Sequence, residues 1–245
     1  MTGEAVTDWS GFRPCTCIAL DAEGYGPNND RRQSEIQHDL RRLLTRAASG
    51  AGLDRSRWKV QQQGDGEVAL IPQDENEPRY VDDLVRHMVS ELRIYNEERR
   101  DIHRMRLRVA LHHGPVELAD NGFAGGAVVA VCRLLAADPL YEALRTLPDI
   151  DLALLLSDDL FQATVGAGHT TYEPTMFRRV SVRKKEFTAP AWLWTPRTVP
   201  ASGRDTAALR SESGRAEAHA ASPTVVNHIH GDVRGSVFGF GSPLA

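Results

Sequence analysis

Two aspartates carry the chemistry that this sequence offers most directly. Asp65 stands in Gly64-Asp65-Gly66, between two runs of strand type, Trp58 to Gln62 and Glu67 to Ile71. An Asp between glycines at such a junction predicts a hairpin tip, with the carboxylate projecting from a two-stranded support. Asp21 ends a short apolar run, Cys15 to Asp21, that predicts a buried strand, and Gly24-Tyr25-Gly26 follows it. With the first strand beside the hairpin, both carboxylates reach the same sheet edge. Such a pair suits Mg²⁺ or Mn²⁺, hard cations that take oxygen ligands and need few from the protein when phosphates complete the shell. Two ions on a nucleoside triphosphate divide the work: one lowers the pKa of an attacking hydroxyl, the other neutralises the phosphates. Taken singly, each Asp is an ordinary turn or strand-end residue. Together they point to phosphate chemistry.

The elements that must position them follow from periodicity. Ile36, Leu40, Leu43 and Leu44 recur at helical spacing and predict a helix from about residue 31 to 49, capped by Asn29 or Asp30 and ended by Gly50 and Gly52. A second helix is predicted from Tyr80 to about Arg100, with Val81, Leu84, Val85, Met88, Leu92 and Tyr95 on its apolar face. Met105 to His112 alternates strictly and reads as a half-buried strand, closed by His112-His113-Gly114-Pro115. A short strand and turn follow over 115–124. Gly125-Gly126 then opens a third helix through Leu135, ended by Asp138-Pro139. Leu152 to Leu156 reads as a buried strand and 158–163 as a short helix. Strands near 177–183 and 191–194 complete the set. This order predicts an α+β fold, a ferredoxin-like βααββαβ sandwich with helices on one sheet face.

Composition narrows the function classes. With 41% hydrophobic and 25% charged residues over 245 positions, the chain has the make-up of a folded soluble domain. A formal net charge of −4 argues against nucleic-acid binding, which needs a basic surface. No apolar run is long enough to span a bilayer, and the N-terminus lacks the regions of a signal peptide. Three cysteines, with Cys15 and Cys17 too close for an easy bridge, fit a reducing compartment, so a cytoplasmic location is expected. His112-His113 and His228-x-His230 have no third ligand at metal spacing and read as incidental. The expected division is a lead-in over 1–13, a folded domain over 14–195, a flexible Ala/Ser/Arg/Glu-rich linker over 196–224 and a Gly/Val-rich tail over 225–245.

Six segments in order resemble the class III nucleotidyl cyclases, the adenylyl and guanylyl cyclase family, across about residues 14–195. They are LDAEGYG, QQQGDGEVAL, RLRVALHHGPV, GFAGGAVVAVCRLL, DLALLLSDDLF and VSVRKKEFTAPAWLW. The resemblance implies that Asp21 and Asp65 bind two Mg²⁺ or Mn²⁺ ions, that Arg133 stabilises the pentavalent phosphate, and that Lys185 (or Lys184) holds the triphosphate. It also implies a homodimer whose protomers share the active sites, the metals on one and the base and arginine contacts on the other. Three positions depart from the family pattern. Gln61 replaces the base-reading Lys, Gly122 its partner carboxylate, and Val129 the Asn four residues before the helix arginine. A Gln amide both donates and accepts, so Gln61 remains able to read a base, a pyrimidine among them as in the uridylate and cytidylate cyclases of phage defence. Loss of the Asn removes a ribose contact, at a cost of about 10- to 1000-fold in rate.

The tail resembles the Asn-x-x-x-Gly-x-Val-x-Gly-x-Val motifs of bacterial amyloid signalling, which are similar to the RHIM-like motifs of necroptosis kinases. The matching residues are Asn227, Gly231, Val233, Gly235 and Val237. The expected function is a metal-dependent cyclase that makes a 3′,5′-cyclic nucleotide from an NTP in bacterial signalling or defence. The alternative is a degenerate cyclase-like dimer that binds nucleotide and recruits a partner protein through the tail.

Overall fold

The computed structural model describes residues 11–72, 77–97, 99–100 and 103–196. The linker and the tail motif over 225–245 lie outside the described residues. Within them the chain builds β1 (Arg13–Ala22), α1 (Asp30–Gly50), β2 (Lys59–Gln63), β3 (Gly66–Ile71), α2 (Glu77–Val81) and α3 (Asp83–Glu97). There follow β4 (Leu107–Ala119), β5 (Gly122–Ala124), α4 (Gly126–Leu135), α5 (Asp138–Thr146), β6 (Leu152–Ser157), α6 (Asp158–Phe161), β7 (Arg178–Lys184) and β8 (Phe187–Trp194). The strands form one sheet in the order β2-β3-β1-β4-β6-β8-β7, with β5 folded back onto the end of β4. Only β4 and β6 run parallel; every other pair is antiparallel. This is the α+β architecture that the helix and strand periodicities predict.

Local signals account for the element ends. Asn29 caps α1, its side chain accepting the Arg32 backbone N–H at 2.9 Å. The predicted apolar stripe of α1 is buried at Ile36, Leu40, Leu43 and Leu44, and that of α3 at Leu84, Val85, Met88, Leu92 and Tyr95. Both stripes pack on one face of the sheet, against Ile18, Leu20, Val109 and Leu111.

The other face is also covered, which corrects the expectation of helices on one side only. Ala127, Val131 and Leu134 of α4 and Leu140 and Leu144 of α5 close a second core against Cys17, Ala19, Ala110 and Leu155. Helix α5 is new. Asp138-Pro139 was expected to end the third helix, but proline at the first turn starts a helix as readily as it stops one. With two helical layers, β4 is fully buried from Leu107 to Leu111 rather than half-buried. Burial first, with neighbouring Cys15 and Cys132, pushes the Cys17 thiol up to about 12. Burial also pushes up the thiols of Cys15 and Cys132. No described helix is long and apolar enough to cross a membrane.

Candidate active site

Strand register brings the two aspartates together. Asp21 pairs with Gly66 across β1 and β3, and the Ala22 N–H donates to the Asp65 carbonyl at 2.9 Å. Asp65 lies in the two-residue turn between Gln63 and Gly66. The flanking glycines act differently from each other. Gly64 has φ +46°, so it supplies left-handed backbone to the turn. Gly66 is needed for close approach: a Cβ there would lie within 3.0 Å of the Leu20 carbonyl oxygen and of the Asp21 Cα.

Asp21 is not an open carboxylate. Arg108 on β4 donates from Nε to Oδ1 at 2.7 Å and from Nη2 to Oδ2 at 2.9 Å, a bidentate pair. The Arg108 guanidinium also stacks over the Tyr141 ring of α5, 3.7 Å from its centroid. Burial raises the Asp21 pKa above the usual carboxylate value, with Arg108 opposing it and the charges of Asp65 and Glu23 adding to it. Sequence reasoning missed Arg108 and Tyr141. A basic residue at a strand position directly opposite the Asp21 strand was the available signal.

The remaining candidates fall into two groups. Gln61 and Gly122 are neighbours: a Cβ at Gly122 would meet the Gln61 Cδ at 2.8 Å. The Gln61 amide therefore fills the space that a side chain at 122 would take, and Gly122 itself has φ +117°. Val129 and Arg133 lie one turn apart on α4, with Val129 48% exposed. Arg133 Nη2 donates to Glu186 Oε1 at 3.1 Å, while its Nε is buried with no hydrogen-bond partner. Glu186 belongs to the β7–β8 turn together with Lys185, whose φ of +53° is left-handed. Its carboxyl is lowered first by its own backbone N–H and then by Arg133. Lys184 donates to Asp138 Oδ1 of α5 at 2.5 Å.

The structure thus brings Asp21 to Asp65, Gln61 to Gly122, and Arg133 to the turn that bears Lys185. No hydrogen bond or ion pair among the described residues joins these three groups. Nor is any group of three or more His, Cys, Asp or Glu side chains among them placed to hold a metal ion. A site built from two carboxylates needs its remaining ligands from elsewhere.

No protein-family model and no curated protein matches the chain. Solved structures do. An adenylate/guanylate cyclase/hydrolase from Silicibacter pomeroyi aligns with a TM-score of 0.56 and 24% identity, over 76% of this chain and 98% of that one. The guanylyl cyclase Cya2 aligns with a TM-score of 0.54 and 16% identity, over 76% and 92% of the two chains. The catalytic core of a rhodopsin-guanylyl cyclase with converted specificity, solved with ATPαS, gives 0.50 and 13%, over 76% and 96%. The fold is therefore that of the class III nucleotidyl cyclases, at low sequence identity.

Proposed function

We propose that the chain is a nucleotidyl cyclase, converting an NTP to a 3′,5′-cyclic nucleotide and pyrophosphate. The observation that carries this reading is the Asp21–Asp65 pair at one sheet edge, fixed by β1–β3 register on a cyclase fold. In the reaction the ribose 3′ oxygen bonds to the α-phosphorus and the bond to the β-phosphate oxygen breaks. Pyrophosphate leaves, and the hydroxyl proton passes to water.

The donor types fit Mg²⁺ or Mn²⁺, with Asp65 unpaired among the described residues, Asp21 held by Arg108, and phosphate oxygens available to complete the shell. Asp21 and Asp65 would hold the ions, which supply a more acidic hydroxyl and charge neutralisation. Arg133 offers an unused buried Nε–H to charge developing at the phosphate. Lys185, with Lys184 behind it, presents a cation for the triphosphate from the β7–β8 turn. Gln61 presents a single amide to the base, with Gly122 leaving it room. That no hydrogen bond or ion pair among the described residues joins the Asp21–Asp65 pair, Gln61 and Arg133 supports a homodimer in which each site draws on both protomers.

A second reading has its own support. Val129 places an exposed apolar side chain where a ribose hydrogen bond is expected, which suits a nucleotide-binding dimer without turnover, recruiting a partner through residues 225–245. Incubation with each of the four NTPs and Mn²⁺ or Mg²⁺, followed by chromatography of the products, separates the two. Cyclic product that falls at least about 100-fold in Asp65→Ala, with an unchanged melting temperature, supports the cyclase. No product from any NTP overturns it.

A further inference from the structure

The residue in closest contact with the predicted metal ligands is one that repels metals. Arg108 takes both oxygens of Asp21, and the pair is largely shielded from solvent, the side chains being 9% and 18% exposed. A divalent cation approaching Asp21 meets a carboxylate whose charge is already cancelled and a guanidinium about one ion-pair distance away. In a partly buried setting that repulsion is far less screened than in water. Asp65 differs, because its carboxylate has no ion pair among the described residues. The guanidinium also lies over the face of Tyr141, a residue that is 48% exposed. Tyr141 thus steadies Arg108 on Asp21.

We propose that Arg108, steadied by Tyr141, is a built-in competitor for the metal at Asp21, so that a divalent cation takes Asp21 only by displacing the guanidinium. This rests on the reading of Asp21 and Asp65 as metal ligands. It makes the two carboxylates unequal: Asp65 accepts a cation directly, and Asp21 accepts one by exchange. Arg108 is then a positioning residue that sets the metal concentration at which the site fills.

The test is Mn²⁺ titration of the full-length protein without nucleotide, followed by electron paramagnetic resonance of free Mn²⁺. Arg108→Met is expected to tighten Mn²⁺ binding about 10-fold or more, since it removes a bidentate charged partner. Tyr141→Ala, which keeps the ion pair and changes a half-exposed residue, is expected to tighten it about 2- to 5-fold through loss of the cation–π contact. It keeps the test decisive where Arg108→Met fails to fold. A purely structural Arg108 would lower the melting temperature of both variants and leave Mn²⁺ affinity alone, which overturns the proposal. Loss of Mn²⁺ binding in Asp21→Asn without a gain in either variant overturns the competitor and spares the metal reading. Mn²⁺ binding indifferent to both Asp21→Asn and Asp65→Asn overturns both.

Discussion

Asp21 and Asp65 owe their nearness to backbone, whereas Gln61, Arg133 and Lys185 depend on side chains at a sheet edge, a helix surface and a turn. At the carboxylate end the register of β1 on β3, the Ala22 N–H and the bare Cα of Gly66 leave little freedom. At the other end Gln61 fills the space that a side chain at 122 would take, and Arg133 and Lys184 are held by partners within the same chain, Glu186 and Asp138. Such contacts exchange readily, because exposed ion pairs are worth about 0–1 kcal/mol. One half of the candidate site is therefore fixed by backbone and the other by exchangeable side-chain contacts. The three positions that depart from the pattern the sequence resemblance implies, at 61, 122 and 129, all fall in the second half.

Substitutions can break this contrast or sharpen it. The largest effect is expected from Gly66→Ala, where the new Cβ collides with the Leu20 backbone. A loss of more than about 3 kcal/mol should show as a large fall in melting temperature or as insoluble protein. A normal melting temperature would show that the carboxylate end is softer than described. Arg133→Ala comes next. It should lower cyclic-nucleotide formation about 100-fold while leaving the melting temperature within a few degrees, because its one ion pair is with an exposed carboxylate. An equal fall in stability would instead make Arg133 a packing residue.

Gly122→Ala is the milder counterpart of Gly66→Ala. Its Cβ meets only the flexible Gln61 amide, though φ +117° adds strain, so a cost of about 1–3 kcal/mol is expected. The more telling readout is a changed ranking of the four NTPs, and an unchanged ranking would separate Gln61 from base reading. The smallest effect concerns pH. Burial holds the Asp21 pKa above its unfolded value, so the folded chain keeps that proton where the unfolded chain has lost it. Stability from this group is full below the unfolded value, about 3.9, and is lost as pH rises through the folded one. Melting curves followed upward from the unfolded value should show wild type losing ground to Asp21→Asn as pH rises. Parallel curves would count against it.

Much of the frame was legible because it rests on local signals. The Asn29 cap, the α1 and α3 stripes, the glycine start of α4 and the hairpin around Asp65 each announce themselves within a few residues. What escaped depends on two-sided burial. Alternation in β4 placed Leu107, Val109 and Leu111 inside and so left Arg108 on a face that reads as solvent. With α5 read as a terminus at Asp138-Pro139, nothing covered that face. The Arg108–Tyr141 stack and the Lys184–Asp138 pair were invisible for the same reason: both partners lie on the missing helix.

Helix α5 touches both halves of the molecule in nine residues. Asp138 at its start holds Lys184, Tyr141 one turn later holds Arg108, and its C-terminal end is pinned where Arg106 donates to the carbonyls of Leu144 and Leu147. In engineering terms it is a poor place to cut. A chimera that exchanges residues 138–146 with those of another chain of this fold would alter the cation beside Asp21 and the lysine near the β7–β8 turn in one step, so shuffling should take α5 together with β4 and β7 or leave all three alone.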